Sequence, residues 1–254
     1  MPNFTLLYSR PLSLSGLSLV ALLLAACSPP DTSLEPPIKS SLAHQALLGT
    51  INNQWYTESA AAVAETNKQV QRLALQSGSA KNIILFVGDG MGVTTVTAAR
   101  IFDGQQQGMF GEENSLSFGK FPFVGLSKTY NVDSQTADSA GTMTALISGV
   151  KTNIGVLGLD EDTRRGDCAS AAGNQLFSAL ELAEIAGLST GIVSTARITH
   201  ATPAATYAKS ADRDWENPSM MPAAAIAAGC EDIASQLINF ERNLEARYPG
   251  SDVN

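Results

Sequence analysis

The sequence predicts an α/β fold with a mostly parallel central sheet flanked by helices, and three observations lead to this prediction. Helical and apolar segments alternate from residue 54 onward. The segment NIILFV (82–87) is a continuous apolar run of the kind that parallel sheets bury on both faces. Glycine-rich and polar segments follow the apolar runs, and in open parallel sheets such loops carry the functional residues.

Local composition predicts each element in turn. The segment 54–75 is rich in Ala, Gln and Glu with apolar residues at helical spacing, which indicates a leading helix. Gly187 marks the end of a later helical segment. The same reasoning predicts further elements, which are strands at 82–87, 123–130 and 189–196 and helices at 94–102, 139–149, 176–187 and 231–248.

The composition bounds the class of protein. The chain has 254 residues, of which 44% are hydrophobic and 16% charged, so it can bury a sizeable core. The formal net charge is −8 and no basic run is present, which argues against nucleic acid as a binding partner, because phosphate backbones need clustered Lys and Arg. A small phosphorylated substrate remains compatible, since a few local cations or metal ions reverse the sign of one pocket.

Residues 1–26 are interpreted as a lipoprotein signal peptide. Arg10 is followed by an uncharged run that is shorter than a typical membrane span. The run closes in LAAC, which resembles a bacterial lipobox, where Cys27 is lipidated and becomes the mature N-terminus. The proline-rich sequence that follows predicts a flexible tether over residues 27–50. We therefore expect an exported lipoprotein anchored through Cys27 in a membrane of the bacterial envelope, facing the periplasm or the cell surface. An ordinary signal peptide that contains a cysteine is the alternative.

The number of cysteines, which is three, bears on the prediction that Cys27 is lipidated. An odd count is unusual in an exported protein, but lipidation of Cys27 leaves Cys168 and Cys230 as an even pair. A disulfide between them is favoured in an oxidising compartment. Two unpaired buried thiols are the alternative, because the sequence does not show how closely the two Cα atoms approach.

Asp89 lies in GDGMG, two residues after the first apolar run. The glycines on both sides let the backbone turn sharply and leave room around the carboxylate. The spacing lacks the GK[ST] of a P-loop and is not GxGxxG, which disfavours nucleotide binding. Taken alone, the motif fits a turn with a capping Asp as well as a metal-binding carboxylate.

The segment TADSAGT (136–142) places Ser139 beside Asp138 at the start of a predicted helix. The small residues that follow would let a substrate approach, and the first-turn N–H groups and the helix dipole favour an anion there. The alternative is that Asp138 or Ser139 only caps the helix.

A third polar segment follows the last predicted strand and carries His200, Thr202 and Arg213. Taken alone, His200 fits a structural histidine and Arg213 a solvated charge. None of these residues is specific by itself.

Together the motifs resemble those of the alkaline phosphatase family. NIILFVGDGMG, TADSAGTMTALISGVKTNIGVLG and STARITHATPAATYA occur in the order and approximate spacing of that family, so residues 51–254 are identified as the N-terminal part of an alkaline phosphatase-like α/β domain. His200 stands where enteric bacterial members carry an aspartate, which is similar to the animal type and some marine bacterial enzymes. Cys168 and Cys230 resemble a disulfide pair of the animal type.

The resemblance implies a role for each residue of the motifs. Asp89 resembles the carboxylate that bridges zinc and magnesium ions, and Ser139 the zinc-bound nucleophile that becomes phosphorylated. Arg213 resembles the guanidinium that binds phosphate, and Thr202 the hydroxyl ligand of magnesium. His200 is expected near the magnesium site.

The implied activity is phosphate monoester hydrolysis through a phosphoserine intermediate, with two Zn²⁺ ions and one Mg²⁺ ion, small phosphorylated substrates and a homodimer. Because zinc stabilises a serine alkoxide without a histidine base, a chain with two histidines is compatible. Most zinc ligands of the family lie beyond the equivalent of residue 254, so we expect an N-terminal fragment whose fold is incomplete at the C-terminus. Two alternatives stay open, a truncated non-catalytic envelope lipoprotein and a related metal-dependent phosphodiesterase or sulfatase.

Overall fold

The computed structural model describes three stretches of the chain, which are residues 53–75, 80–121 and 123–249. The chain divides into two compact units, residues 1–77 and 78–254. The predicted signal peptide, Cys27 and the predicted tether lie outside the described residues.

The first unit contributes helix α1, Gln54–Leu75, which confirms the leading helix predicted from composition. None of its residues is buried. Its ion pair between Arg72 and Glu65, at 3.0 Å, lies on the exposed surface, where such pairs add little stability.

The second unit is built mainly from helices joined by loops and short 3₁₀ turns. The 3₁₀ turns cover Ser117–Lys120, Cys168–Ala171 and Pro218–Met220. The α-helices are α2 (Val93–Gln106), α3 (Ser139–Ser148), α4 (Ala179–Ile185), α5 (Ala201–Ala204), α6 (Ala223–Ala227), α7 (Ile233–Ile238) and α8 (Phe240–Arg247).

The predicted helices at 94–102, 139–149 and 176–187 are confirmed as α2, α3 and α4. A capping box fixes the start of α4, because the Ser178 side chain accepts from the Glu181 N–H while the Glu181 carboxylate accepts from the Ser178 N–H.

The predicted helix at 231–248 is divided into α7 and α8. Asn239 lies between them with φ −96° and ψ 16°, outside the helical region, and it ends one helix while preceding the next. Its side chain donates to the Glu231 carboxylate, as does the Asn243 amide at 2.7 Å. The amphipathic pattern therefore predicted the helical character and not the break.

The structure does not confirm the predicted strands at 82–87, 123–130 and 189–196. In the described stretches, pairing is limited to two isolated antiparallel bridges, Leu157 with Ser210 and Leu159 with Gln175. A strand needs a neighbouring strand for its backbone groups and cover for its faces. In the described residues these segments pair with no other strand, and most of their apolar side chains are exposed, although Ile192 packs against the core. The exposed fraction is 88% for Ile83, 90% for Phe86 and 96% for Val124. The mostly parallel sheet remains a prediction.

The core of the second unit consists of two clusters of buried side chains. Small residues let α3 and α5 approach closely in the first, which contains Ala140, Met143, Leu157, Ala201, Ala204, Ala205, Tyr207, Ala208 and Ile233. The second contains Val156, Leu159, Ala211, Trp215, Met221 and Ala225. Segment 136–142 contributes Ala140 to the first cluster, and segment 194–216 contributes residues to both clusters.

Cys168 and Cys230 form a disulfide beside the second cluster, as predicted, with their Cα atoms 5.9 Å apart. In the part of the chain that the structure describes, no helix combines the length and apolar character that a membrane crossing requires.

Candidate active site

The loop 88–92 positions Asp89 ahead of helix α2. Two tight turns shape it, with the Met91 N–H donating to the Gly88 carbonyl at 3.2 Å and the Gly92 N–H to the Gly90 carbonyl at 3.0 Å. Gly90 has φ +68°, a conformation that favours glycine. The glycines that the sequence placed around the carboxylate therefore serve the turn, and the Asp89 side chain is left half-exposed.

Ser139 is the first residue of α3, and Asp138 caps that helix. The Asp138 carboxylate accepts from the Gly141 N–H at 3.1 Å, so the interpretation of Asp138 as a cap is correct. The cap leaves Ser139 half-buried at the positive end of a ten-residue helix.

A cavity of about 620 Å³ brings three of the predicted residues together, because Asp89, Ser139 and Thr202 all line it. Two cations, Lys128 and Lys151, belong to the same wall. The Lys151 ammonium donates to the Tyr130 carbonyl at 2.7 Å and lies 3.2 Å from the centroid of the Tyr130 ring. The lining of the cavity thus combines a candidate hydroxyl nucleophile with carboxylates and two cations.

Thr202, on α5, directly contacts Asp89. Its hydroxyl donates to Oδ2 of Asp89 at 2.9 Å, across 113 residues of sequence. Nδ1 of His200 lies 3.8 Å from the same carboxylate oxygen. The short helix α5 therefore presents two polar side chains to the Asp89 loop.

Arg213 is not the solvated charge that its local sequence suggested. Its Nη1 donates to Oδ2 of Asp138 at 3.0 Å, and its Nη2 lies 3.2 Å from Nε2 of His200. A guanidinium only donates, so a hydrogen bond between the two side chains requires Nε2 of His200 to accept. Arg213 is thereby held between the residue that precedes Ser139 and the histidine that approaches Asp89.

Asp138 is a residue of the site whose role the sequence did not reveal beyond capping. Burial by itself would raise the pKa of Asp138, but hydrogen bonds from the Gly141 N–H, the Asn131 amide, Arg213 and the Gly155 N–H outweigh burial and hold the pKa below its ordinary value. The carboxylate therefore stays charged beside Arg213. Its position next to Ser139 was the only available signal.

Glu216 holds the turn that leads into α5. Its carboxylate accepts from Arg197 at 2.6 and 2.8 Å and from the Thr199 hydroxyl at 2.6 Å. The hydrogen bond from Arg197 is the largest cause that lowers the pKa of Glu216 to about 2. No local sequence pattern indicates the role of Glu216, because its partners lie 17 and 19 residues away.

The donor atoms fit part of a metal site. The Asp89 carboxylate and the Thr202 hydroxyl are hard oxygen donors of the type that Mg²⁺ takes. For zinc, Asp89 and Ser139 supply oxygens, whereas a zinc site commonly has four ligands that include histidine. In the described stretches, no three His, Cys, Asp or Glu side chains converge as a metal site requires. The predicted metal roles of Asp89, Ser139 and Thr202 stay predictions, as does the placement of His200 near the magnesium site.

A hydroxyl at a helix start, a nearby guanidinium and oxygen donors that suit a metal ion are groups that metal-assisted phosphoryl transfer can use. The profile of the family described as alkaline phosphatase matches residues 80–245. The chain belongs to the alkaline phosphatase family, which confirms the resemblance of its motifs. This membership supports the α/β class of the fold.

Similar proteins include the tissue-nonspecific isozymes of alkaline phosphatase from Rattus norvegicus and Homo sapiens. The rat protein is 52% identical over 187 residues, which are 73% of this chain and 36% of the relative. The human protein is 53% identical over 176 residues, 69% of this chain and 34% of the relative. The chain therefore spans about a third of the length of these relatives. The crystal structure of a cold-active alkaline phosphatase from the psychrophile Shewanella sp. is 31% identical, covering 51% of this chain and 30% of that one, with a TM-score of 0.43.

Proposed function

We propose that the full-length protein hydrolyses phosphate monoesters through a phosphoserine intermediate formed on Ser139. The observation that carries this proposal is that Ser139, Asp89 and Thr202 line one cavity while Arg213 is tied to Asp138, directly beside Ser139. Membership of the alkaline phosphatase family supports small phosphorylated molecules as the substrate class.

Ser139 Oγ is the nucleophile. It forms the bond to phosphorus as the bond from phosphorus to the ester oxygen breaks, and the alcohol leaves with a proton. Water then attacks the phosphoserine, which releases inorganic phosphate and restores the hydroxyl. The N-terminal end of α3 favours the negative charge that accumulates beside Ser139 in both steps.

Arg213 binds the phosphate oxygens. Two of the five N–H groups of its guanidinium are engaged by Asp138 and His200 in the described structure, which leaves others for the substrate. A planar fork donates two parallel hydrogen bonds to phosphate, which a lysine does not reproduce. Because the guanidinium is already held at two points, little conformational entropy is lost when phosphate binds.

Asp89 and Ser139 would hold zinc, and Asp89 and Thr202 would hold magnesium, with two zinc ions and one magnesium ion in all. Bound metal ions would lower the pKa of the serine hydroxyl and of water and stabilise the leaving oxygen. Among the residues described here, Thr202 orients the Asp89 carboxylate through its hydrogen bond, and His200 approaches the same oxygen.

The proposal extends to the location and assembly of the protein. We propose that it is exported, anchored through a lipid on Cys27 in a bacterial envelope membrane, with its catalytic domain in the periplasm or at the cell surface, and that it forms a homodimer. The disulfide between Cys168 and Cys230 supports an oxidising compartment. The LAAC sequence supports the anchor.

A comparison of Ser139→Ala with the unaltered full-length protein tests the reaction. We expect the unaltered protein to release one rapid equivalent of alcohol from an aryl phosphate and to yield a phosphorylated Ser139 peptide after acid quenching. Ser139→Ala should lose the burst and the label, and turnover should fall by a factor of about 10³ or more. Its metal content should not change, and loss of zinc in this variant would show that Ser139 acts mainly as a metal ligand.

Ser148→Ala is the matched control, because Ser148 ends the same helix and its hydroxyl donates to the Thr144 carbonyl at 2.6 Å, away from the cavity. It should keep the burst. Faster turnover of a phosphodiester or a sulfate ester than of the monoester would indicate a related esterase instead. No turnover and no bound zinc in the unaltered protein would indicate a non-catalytic lipoprotein.

A further inference from the structure

Asn131 lies behind the site, although no step of the proposed reaction uses it. The residue is only 2% exposed, and its Nδ2 donates to Oδ1 of Asp138 at 2.9 Å. The other carboxylate oxygen, Oδ2, accepts from Arg213 at 3.0 Å. Two hydrogen bonds therefore connect the buried amide with the guanidinium.

Each oxygen of the Asp138 carboxylate accepts two hydrogen bonds. Oδ1 accepts from Asn131 and the Gly141 N–H, while Oδ2 accepts from Arg213 and the Gly155 N–H at 3.1 Å. Rotation of a carboxylate about its terminal torsion meets only a broad energy well, so the donors decide its orientation. Asn131 is the side-chain donor that keeps Oδ1 turned away from Arg213 and Oδ2 turned toward it.

Asn131 is itself fixed in place. Its backbone N–H donates to the Ser134 carbonyl at 2.9 Å, and its amide is pressed against the first turn of α3. A Cβ added to Gly141 would lie 2.6 Å from Oδ1 of Asn131. The absence of a side chain at Gly141 thus creates the space that the amide fills.

The hydrogen-bond donor of the amide, and not its oxygen, explains why an asparagine stands at this position. Among the described residues, Oδ1 of Asn131 is buried without a hydrogen-bond partner. An unpaired buried oxygen costs free energy, so packing alone favours an apolar side chain at this position. The hydrogen bond from Nδ2 to Asp138 is the compensating interaction.

We propose that Asn131 is a positioning residue, which orients Asp138 and through it the phosphate-binding guanidinium of Arg213. The part of this inference that concerns phosphate rests on the proposed function, whereas the effect of Asn131 on Arg213 does not. When the amide is removed, Asp138 gains rotational freedom and Arg213 loses a fixed partner.

A double-mutant cycle tests the inference in the full-length, metal-loaded protein. The four proteins are the unaltered protein, Asn131→Ala, Asp138→Ala and the double variant. The first readout is the rate at which phenylglyoxal labels Arg213, measured by peptide mass spectrometry. We expect Asn131→Ala to raise that rate about fivefold, the scale of one net hydrogen bond. In the Asp138→Ala background the same change should alter the rate less than about twofold, because the connection is already broken.

Asn243→Ala is the matched control. Asn243 is also a partly buried amide that donates to a carboxylate, at 2.7 Å to Glu231, but it lies on α8 away from the cavity. It should leave the labelling of Arg213 unchanged. If Asn131→Ala does not fold, Asn131→Asp preserves the shape while removing the donor, and it should raise the labelling rate at least as much.

The second readout is inhibition by inorganic phosphate. We expect Asn131→Ala to raise the inhibition constant and KM about fivefold and to change kcat less, again only when Asp138 is present. Equal effects of Asn131→Ala in both backgrounds, or no change in labelling, would overturn the inference. Faster labelling in a protein that does not hydrolyse monoesters would support the positioning role and overturn the proposed function instead.

Discussion

Two regions of the second unit differ in how far they bury their apolar side chains. The region of α3, α5 and the segment 156–159 buries most of them, as with Leu157, which is fully buried, although Leu146 on α3 is 57% exposed. The segment 83–87 exposes them, as with Phe86. Ser139 begins α3 in the buried region and Arg213 contacts the cap of that helix, whereas Asp89 follows the exposed segment.

The difference teaches that the two sides of the site are held by different means. Arg213 is fixed by Asp138 and His200 on a packed core, so it is preorganised. The Asp89 carboxylate has its hydrogen bond from Thr202 and a half-exposed position in a glycine turn. The orientation of the Asp89 carboxylate therefore depends more on a bound ligand than the orientation of Arg213 does.

The largest expected effect comes from truncating one apolar side chain in each region. Leu157→Ala should lower the free energy of unfolding by about 3 kcal/mol, because it leaves a cavity in the first core cluster. Phe86→Ala should lower it by less than about 0.5 kcal/mol, because that side chain is exposed. Urea denaturation followed by circular dichroism measures both. A cost at Phe86 equal to that at Leu157 would reveal cover over segment 82–87 and would favour the predicted sheet.

An intermediate effect is expected in the glycine turn. Gly90→Ala should cost about 1 kcal/mol, because Gly90 has a positive φ that a side chain disfavours. Gly92→Ala is the control, since Gly92 has φ −81° and an added Cβ meets no atom within 4 Å at either glycine. Thermal unfolding compares the two variants, and metal content reports whether Asp89 has moved. Equal losses of stability in the two variants would show that the positive φ of Gly90 is not what makes glycine necessary there.

The smallest expected effect concerns acid stability at Glu216. The folded pKa of about 2 lies below the ordinary value of 4.5, so this carboxylate contributes stability above pH 4.5 that is lost as the pH falls toward 2. Glu216→Gln should therefore differ from the unaltered protein most above pH 4.5 and least near pH 2. Unfolding at several pH values measures the difference. Arg197→Gln should reproduce most of it, because Arg197 is the main cause of the shift. A difference that does not change with pH would contradict this assignment.

The sequence predicted local helices better than strands or connections between distant residues. Helices α1 to α4 follow from periodicity and caps within one segment, such as Ser178 with Glu181. The contact of Arg213 with Asp138 spans 75 residues, so no local pattern indicates it. Strands depend on partners elsewhere in the chain or beyond the described part, and an apolar run such as 82–87 does not specify them. The family was indicated by the resemblance of the motifs and not by periodicity.

The disulfide between Cys168 and Cys230 closes a loop that contains only some of the site residues. The loop that it closes has a sequence separation of 62 and contains His200, Thr202 and Arg213, but neither Asp89 nor Ser139. Closing a loop limits the conformations that its residues sample in the unfolded chain. Disulfide formation thus constrains the segment that carries Arg213 directly, whereas the segments that carry Asp89 and Ser139 fold without a covalent constraint from this bond.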